Sequence, residues 1–354
     1  MFKRTTDGTC LEALVRMAVP LCQAAERCCP RTGPGRKPGI PDWLMATLIM
    51  IAMLKRRKSK SAQFRFLSAH REKLAGWLGN DRFPARSTYF DRYRRAHLLF
   101  RTAVALQGKE AVRDELADAS AVAVDKSLVA ARGPQWNQAD RRRAVIPKGL
   151  RGVDRDSEWS YTKSRGWVQG YSYEVVVSAG KNGIVFPLLA SADTAKTRET
   201  KTAPPKLEQL PEQTEAVLGD GAYDSVGLQR QVEGTPQQLT GRTFYCPVVV
   251  RGRPPRGACR PHVTHPERIS RQQRMRTAKA RRIFARRSAT VEPFNDWFKA
   301  AFELDRTVWH RGLANNRTQL LGALCCYQLL VRFLNRHRPK KTHNSQIQKL
   351  LDAL

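Results

Sequence analysis

Three carboxylates stand where an acid is costly or conspicuous. Asp125 interrupts the small apolar run AVAVDKS, and Asp220 closes the ramp VLGD within VLGDGAYDS. Each ends an apolar segment of strand character, where a charge loses hydration unless something cationic offsets it. If the two strands are neighbours in one sheet, the carboxylates meet at the strand exits and repel, and a divalent cation relieves that repulsion. Oxygen-only ligation of this kind suits Mg²⁺ or Mn²⁺. The third acid, Glu292 in RRSATVEPFNDWFKAAF, borders an apolar stripe formed by Val291, Phe294 and Phe298. Lys299, seven residues on, returns to nearly the same side of that helix. Taken singly, each acid also has a plain reading. Asp125 and Asp220 fit strand-end turns, and Glu292 fits an exposed first-turn glutamate favoured by the helix dipole.

The elements that would carry these residues follow from periodicity. Residues 1–115 read as mostly helical, with the apolar run WLMATLIMIAML (43–54) as a buried helix too short to span a bilayer. The stretch RFPARSTYFDRYRRAH (82–97) comes later in this region. In it Pro84 breaks the chain, Ser87 is placed to cap a helix, and Arg92, Arg94 and Arg95 decorate that helix. That reads either as a helix-turn-helix-like module or as a solvated basic helix. From about residue 119 the texture turns to strands: 119–130, 170–180, 182–192, 215–223 and 243–252. Asn182-Gly183 marks a hairpin between the second and third. Helical patterns resume from 290, and the last strong one, 315–334, buries Leu320, Leu321, Leu324, Leu330 and Leu334. The expected fold is therefore a mixed sheet covered by helices, preceded by an all-helical region.

Charge sets the partner class. Sixty-three Lys and Arg against 31 Asp and Glu leave a net charge of +32 over 354 residues. Such an excess repels itself unless a polyanion offsets it; nucleic acid is the default polyanion, and a ribosomal or membrane-surface role fits the charge alone as well. Between Arg251 and Arg287 there are thirteen basic residues and one acid, Glu267, so this stretch is no core but a tether or a phosphate-gripping surface. The start, MFKRTTDGTC, has no apolar signal region, and the pairs Cys28-Cys29 and Cys325-Cys326 do not form a disulfide framework. The expectation is a cytoplasmic chain.

The order strand-Asp, strand-Asp, helix-Glu resembles the DDE transposases of bacterial insertion sequences, over roughly residues 120–335. AVDKS resembles the family's first-strand carboxylate motif, and LGDGAYDS its second, whose metal ligand corresponds to Asp220. The third motif of one large branch, Tyr-x2-Arg-x3-Glu-x6-Lys, matches Glu292 and Lys299 in interval. HRGLANN (310–316) is similar to the family's Arg-Gly-Leu segment, with Arg311 in it. The expected Arg and Tyr positions hold Ser288 and Ala285 instead, with Arg286 and Arg287 close by. A one-residue shift turns a side chain by about 100° around a helix.

The resemblance implies a ribonuclease H-like catalytic domain over 116–336, containing the basic segment 251–287. A helix-turn-helix-like DNA-binding or dimerisation region over 1–115 precedes it, and a basic C-terminal tail occupies 337–354. It implies that Asp125, Asp220 and Glu292 are the catalytic residues and hold two Mg²⁺ or Mn²⁺ ions. Lys299, Arg286, Arg287, Arg92, Arg94, Arg95 and Arg311 would contact DNA. The activity implied is cleavage and strand transfer at insertion-sequence ends, by a dimer on double-stranded DNA near the bacterial nucleoid. The rivals are a catalytically inactive DNA-binding relic or regulator on the same scaffold, and a nuclease without strand transfer.

Other groups carry weaker signals. Cys246, Cys259, His262 and His265 have zinc-ligand chemistry at a spacing that matches no common zinc pattern. Asp154, Asp156 and Glu158 read as solvated loop charges. Trp136, Trp159 and Trp167 read as packing for the 131–165 loop, or as platforms for unstacked bases. Asp224 reads as turn punctuation after Asp220.

Overall fold

The computed structural model describes residues 8–29, 39–162, 165–235, 237–250, 265–337 and 346–354. Among the described residues six helices come first: α1 (Gly8–Cys28), α2 (Asp42–Leu54), α3 (Lys60–Ala69), α4 (Arg71–Leu78), α5 (Arg86–Tyr93) and α6 (His97–Arg113). The expected apolar helix is α2. It is apolar all round and buried from Leu44 to Leu54, as such a helix must be. Glu26 of α1 accepts from the amides of Asp42 and Trp43 (2.6 and 3.3 Å), supplying the cap that Pro41 cannot. Ser59 caps α3 through Ala62 N (3.1 Å), and Gly79 closes α4 in the left-handed conformation. Ser87 does not cap α5. The helix starts one residue earlier, after an extended Ala85, and has no side-chain cap.

The chain then forms β1 (Ala121–Ala130), α7 (Gln138–Arg142), β2 (Glu158–Thr162), β3 (Gly166–Ser178) and β4 (Pro187–Thr194). Short helices α8 (Glu199–Thr202) and α9 (Pro204–Leu207) lead to β5 (Ala216–Leu218), a 3-10 turn at Gly221–Tyr223 and α10 (Val226–Glu233). A two-residue hairpin, β6 (Gly234–Thr235) and β7 (Gln238–Leu239), precedes β8 (Thr243–Tyr245). β1 lies between β3, antiparallel, and β5, parallel, and β5 pairs with β8 in parallel. β3 is long enough to take β2 along its first residues and β4 along the rest, both antiparallel. This is a ribonuclease H-like mixed sheet flanked by helices. The β3–β4 hairpin turns at Gly183 with φ +77°, as the Asn-Gly pair requires. Within this sheet β2 is the strand that the sequence did not announce.

After β8 come α11 (Pro266–Met275), α12 (Ala278–Ala301), α13 (Leu313–His337) and α14 (Gln346–Ala353). The described part of the basic segment is thus helix, not tether, and the tail ends in a helix that buries Ile347, Leu350 and Leu351. α12 crosses β1 on the face of Ala121 and Ala123, whose small side chains admit Ala280 and Val291 closely. The opposite face belongs to the main core, shared by Val122, Val124, α6 and α13 with α1 and α2. Gln328 of α13 donates to Val104 O and Pro187 O (2.9 and 2.7 Å) and accepts from Gln107 (3.0 Å), tying α6, β4 and α13 together.

α6 approaches β4 so closely at Gly108 that an added Cβ would lie 2.3 Å from Leu188 O. Gly108→Val is therefore expected to destabilise by about 1–3 kcal/mol through overpacking, read as a lowered thermal midpoint. An unchanged midpoint would show that α6 can move off the sheet.

Asp154 is not solvated, whereas Asp156 is exposed as expected. Asp154 is buried, accepts from Tyr171 Oη (2.8 Å) and Gly312 N (3.1 Å), and Asp156 accepts from Leu313 N (2.8 Å). Together they cap the start of α13. Trp136 and Trp159 pack the 131–165 loop, with indole bonds to Val145 O and Trp136 O (2.8 and 2.7 Å), whereas Trp167 is exposed.

Candidate active site

The parallel register pairs Ala123 with Leu218. Asp125 and Asp220 each lie two residues further along, so neighbouring strands present them at one level. Asp125 points to the same face as Ala121 and Ala123, toward α12. There Arg287 bonds Asp125 Oδ1, and Asn295 Nδ2 donates to Oδ2 at 2.9 Å. The amide is fixed from behind, since Tyr173 Oη donates to Asn295 Oδ1 at 2.7 Å. The same Arg287 nitrogen lies 3.6 Å from Asp220 Oδ2. One guanidinium therefore bridges the two carboxylates.

Burial pushes the Asp125 carboxyl up to about 6, with Arg287 pulling it down and Asp220 pushing it further up. Asp220 is more open, with 45 % of its side chain exposed. Its Oδ1 accepts from Ala222 N (2.9 Å), which starts the 3-10 turn. Cys246 donates to Asp220 O at 3.0 Å from a buried position on the β8 side, and burial pushes its thiol up to about 12. That thiol supports a turn. Cys259 and His262 lie outside the described residues.

Asp224, four residues after Asp220, is a clamp. Its side chain is 4 % exposed, bonds Arg268 and Arg271 of α11, and accepts from Val249 N at 2.8 Å. Arg271 is fully buried. This carboxylate fastens the basic helix α11 to the β5 loop.

Glu292 is exposed on the flank of α12. At 100° per residue it lies 60° from Asn295 and 20° from Lys299, outward of the face that meets Asp125. Among the described residues no three His, Cys, Asp or Glu gather to hold a metal. The donor set thus fits a cation in part: Asp125 and Asp220 already share one, and Glu292 stands off. Lys299 is half-buried. Burial first, then Arg165, lowers its pKa, while Asp125 and two other aspartates partly restore it.

The remaining predicted DNA contacts divide. Arg94 and Arg95 are exposed, Arg286 is half-buried, and Arg311 is exposed beside the backbone of Gly152. Arg92 is tied inward to Asp42 and Ile40 O, across the α2–α5 contact. Asn295 and Tyr173 were not foreseen. The available signal was the i, i+4 ladder from Arg287 through Val291 to Asn295.

Among the described residues no helix is long and apolar enough to cross a membrane. No curated protein matches the chain at a significant level. Among solved structures it is similar to a piggyBac transposase synaptic complex with hairpin DNA, at 11 % identity and a TM-score of 0.41, over 98 % of this chain and 80 % of that one. The transposase DDE domain model matches residues 116–329, which span β1 to α13 and hold all three acids. The chain belongs to the DDE-domain transposases.

Proposed function

We propose that the protein binds double-stranded DNA at the ends of an insertion sequence and, with Mg²⁺ or Mn²⁺, cleaves and joins strands by in-line phosphoryl transfer. The observation that carries this reading is the pair Asp125 and Asp220, level on parallel strands and sharing one positive charge. Asp125 Oδ1 and Asp220 Oδ2 would hold a divalent cation, and Glu292 would complete its ligands from the helix flank. Such a cation, when bound, acidifies an attacking water or 3′-hydroxyl and stabilises the leaving oxygen, and two ions would clamp both.

The chain's own residues supply the rest. Asn295, locked by Tyr173, keeps the Asp125 carboxylate from rotating. Lys299 presents a positive charge beside it for a phosphate near the scissile bond. Lys279, Arg281 and Arg282, exposed on α12, and Arg94 and Arg95 form basic surfaces for the DNA backbone. Two DNA ends require two copies of the chain, hence a dimer on DNA. The exposed, unclustered Glu292 favours one alternative, a DNA-binding relic or regulator that no longer cuts.

The deciding assay uses duplexes that carry the inverted repeats flanking the reading frame, with Mg²⁺ or Mn²⁺. Nicking at the repeat end and then joining to a target is the expected result. Binding with no nick would establish the regulator, and nicking with no joining a simple nuclease.

A further inference from the structure

The two oxygens of each catalytic aspartate are held by donors of different kinds. Asp125 Oδ2 takes the neutral amide of Asn295 and Asp220 Oδ1 takes the backbone amide of Ala222, both at 2.9 Å. Neither donor competes with a metal ion for charge. The other two oxygens, Asp125 Oδ1 and Asp220 Oδ2, face the same nitrogen of Arg287. The guanidinium thus sits where an ion bridging both carboxylates would have to sit. Its hold is incomplete, for its Nε is buried with no hydrogen-bond partner, so the planar donor fork is only partly used.

We propose that Arg287 is the resident countercation of this site: it holds Asp125 and Asp220 together in the metal-free protein, and a divalent cation binds by displacing it, which frees the guanidinium for a DNA phosphate. The inference rests on the metal-dependent function proposed for the site. Charge accounting favours the exchange. Two carboxylates and one guanidinium sum to −1, whereas two carboxylates and a divalent ion sum to zero. The exchange also releases one unpaired positive charge on α12, the helix that carries Arg286 and Lys299. A phosphate is the partner whose chemistry suits a freed guanidinium. Arrival of the ion would thereby strengthen the grip on DNA by one contact, a coupling that must be reciprocal.

The test is a Mn²⁺ titration of the full chain, monitored by electron paramagnetic resonance of the free ion. Arg287→Gln is expected to bind Mn²⁺ about tenfold more tightly than wild type. Asn295→Ala is expected to bind more weakly, because the Asp125 carboxylate loses its orientation. A second measurement tracks the salt dependence of binding to a 30-base-pair duplex of arbitrary sequence. For wild type the slope of log K against log salt should steepen by about 0.9 when Ca²⁺ replaces EDTA, one extra phosphate contact, and Arg287→Gln should show no such change.

If Arg287→Gln binds Mn²⁺ no better than wild type while Asp220→Asn abolishes binding, the countercation role is overturned and the metal-dependent reading stands. If neither wild type nor Arg287→Gln binds Mn²⁺, both fall. Should Arg287→Gln fail to fold, the wild-type salt slope decides alone, and a slope indifferent to Ca²⁺ overturns the proposal.

Discussion

Asp220→Asn should leave the protein folded with an unchanged melting temperature and reduce DNA strand cleavage by on the order of 10³-fold, the scale for loss of one preorganised electrostatic group. The stability half follows from its surroundings. Its side chain is 45 % exposed, its distance to Arg287 is 3.6 Å, and its one short bond is the acceptance from Ala222 N. Asparagine keeps an oxygen for that cap and costs little at an open position. The activity half follows from charge, because an amide oxygen ligates a divalent cation far less strongly than a carboxylate does. Cleavage on duplexes bearing the element ends, together with a thermal melt, measures both. Wild-type cleavage by this variant would remove Asp220 from the chemistry, whatever its DNA affinity.

Asp224→Ala, four residues away in the same motif, should do the reverse. It is expected to destabilise the fold by about 3–5 kcal/mol, because Arg271 keeps its charge in a buried position and loses the carboxylate that neutralises it. Arg268 loses its carboxylate and keeps only Val249 O, and the amide of Val249 is left without its acceptor. The effect should appear as a lower urea midpoint. A companion variant, Asp224→Asn, retains hydrogen bonding without charge and should fall between the two. If Asp224→Ala melts like wild type, α11 is not held by this clamp. With both results in hand, the two aspartates of GDGAYD would divide the work: one carrying charge for the reaction, the other holding the segment behind it.

How much of this was legible depends on the range of each interaction. β1 and β5 could be read because runs such as AVAV and AVL have no other stable home, and an acid after them stands out locally. β2 could not. EWSYT is half-exposed, has no apolar alternation, and is a strand only because β3 extends beyond β1 and offers it an edge. The roles of Arg92 and Asp224 were hidden for another reason. Arg92 sits in a basic cluster that suggests DNA, but its partner Asp42 lies 50 residues upstream. Asp224 looks like a turn residue until its arginines, 44 and 47 residues downstream, fold back onto it. Asp154 and Asp156 belong to the same class, with partners at the start of α13. Spacing pointed to Glu292, which stands on the exposed flank of α12, and to Lys299, which is half-buried. It missed Asn295, since an uncharged amide in an amphipathic helix carries no mark of its destination.

The shared interior around Gln107 and Gln328 sets a limit on how this protein can be divided. The family domain begins at residue 116, yet α13, inside that domain, is buried from Thr318 to Val331 largely by helices that precede it. Cut at 115, the chain would leave Cys325 and Cys326 without Met50, and Gln328 without Val104, on a face made for neither water nor a different helix. The N-terminal helices are therefore not a separable attachment to the family domain. They are one wall of its housing, and exchanging them would mean rebuilding α13 at the same time.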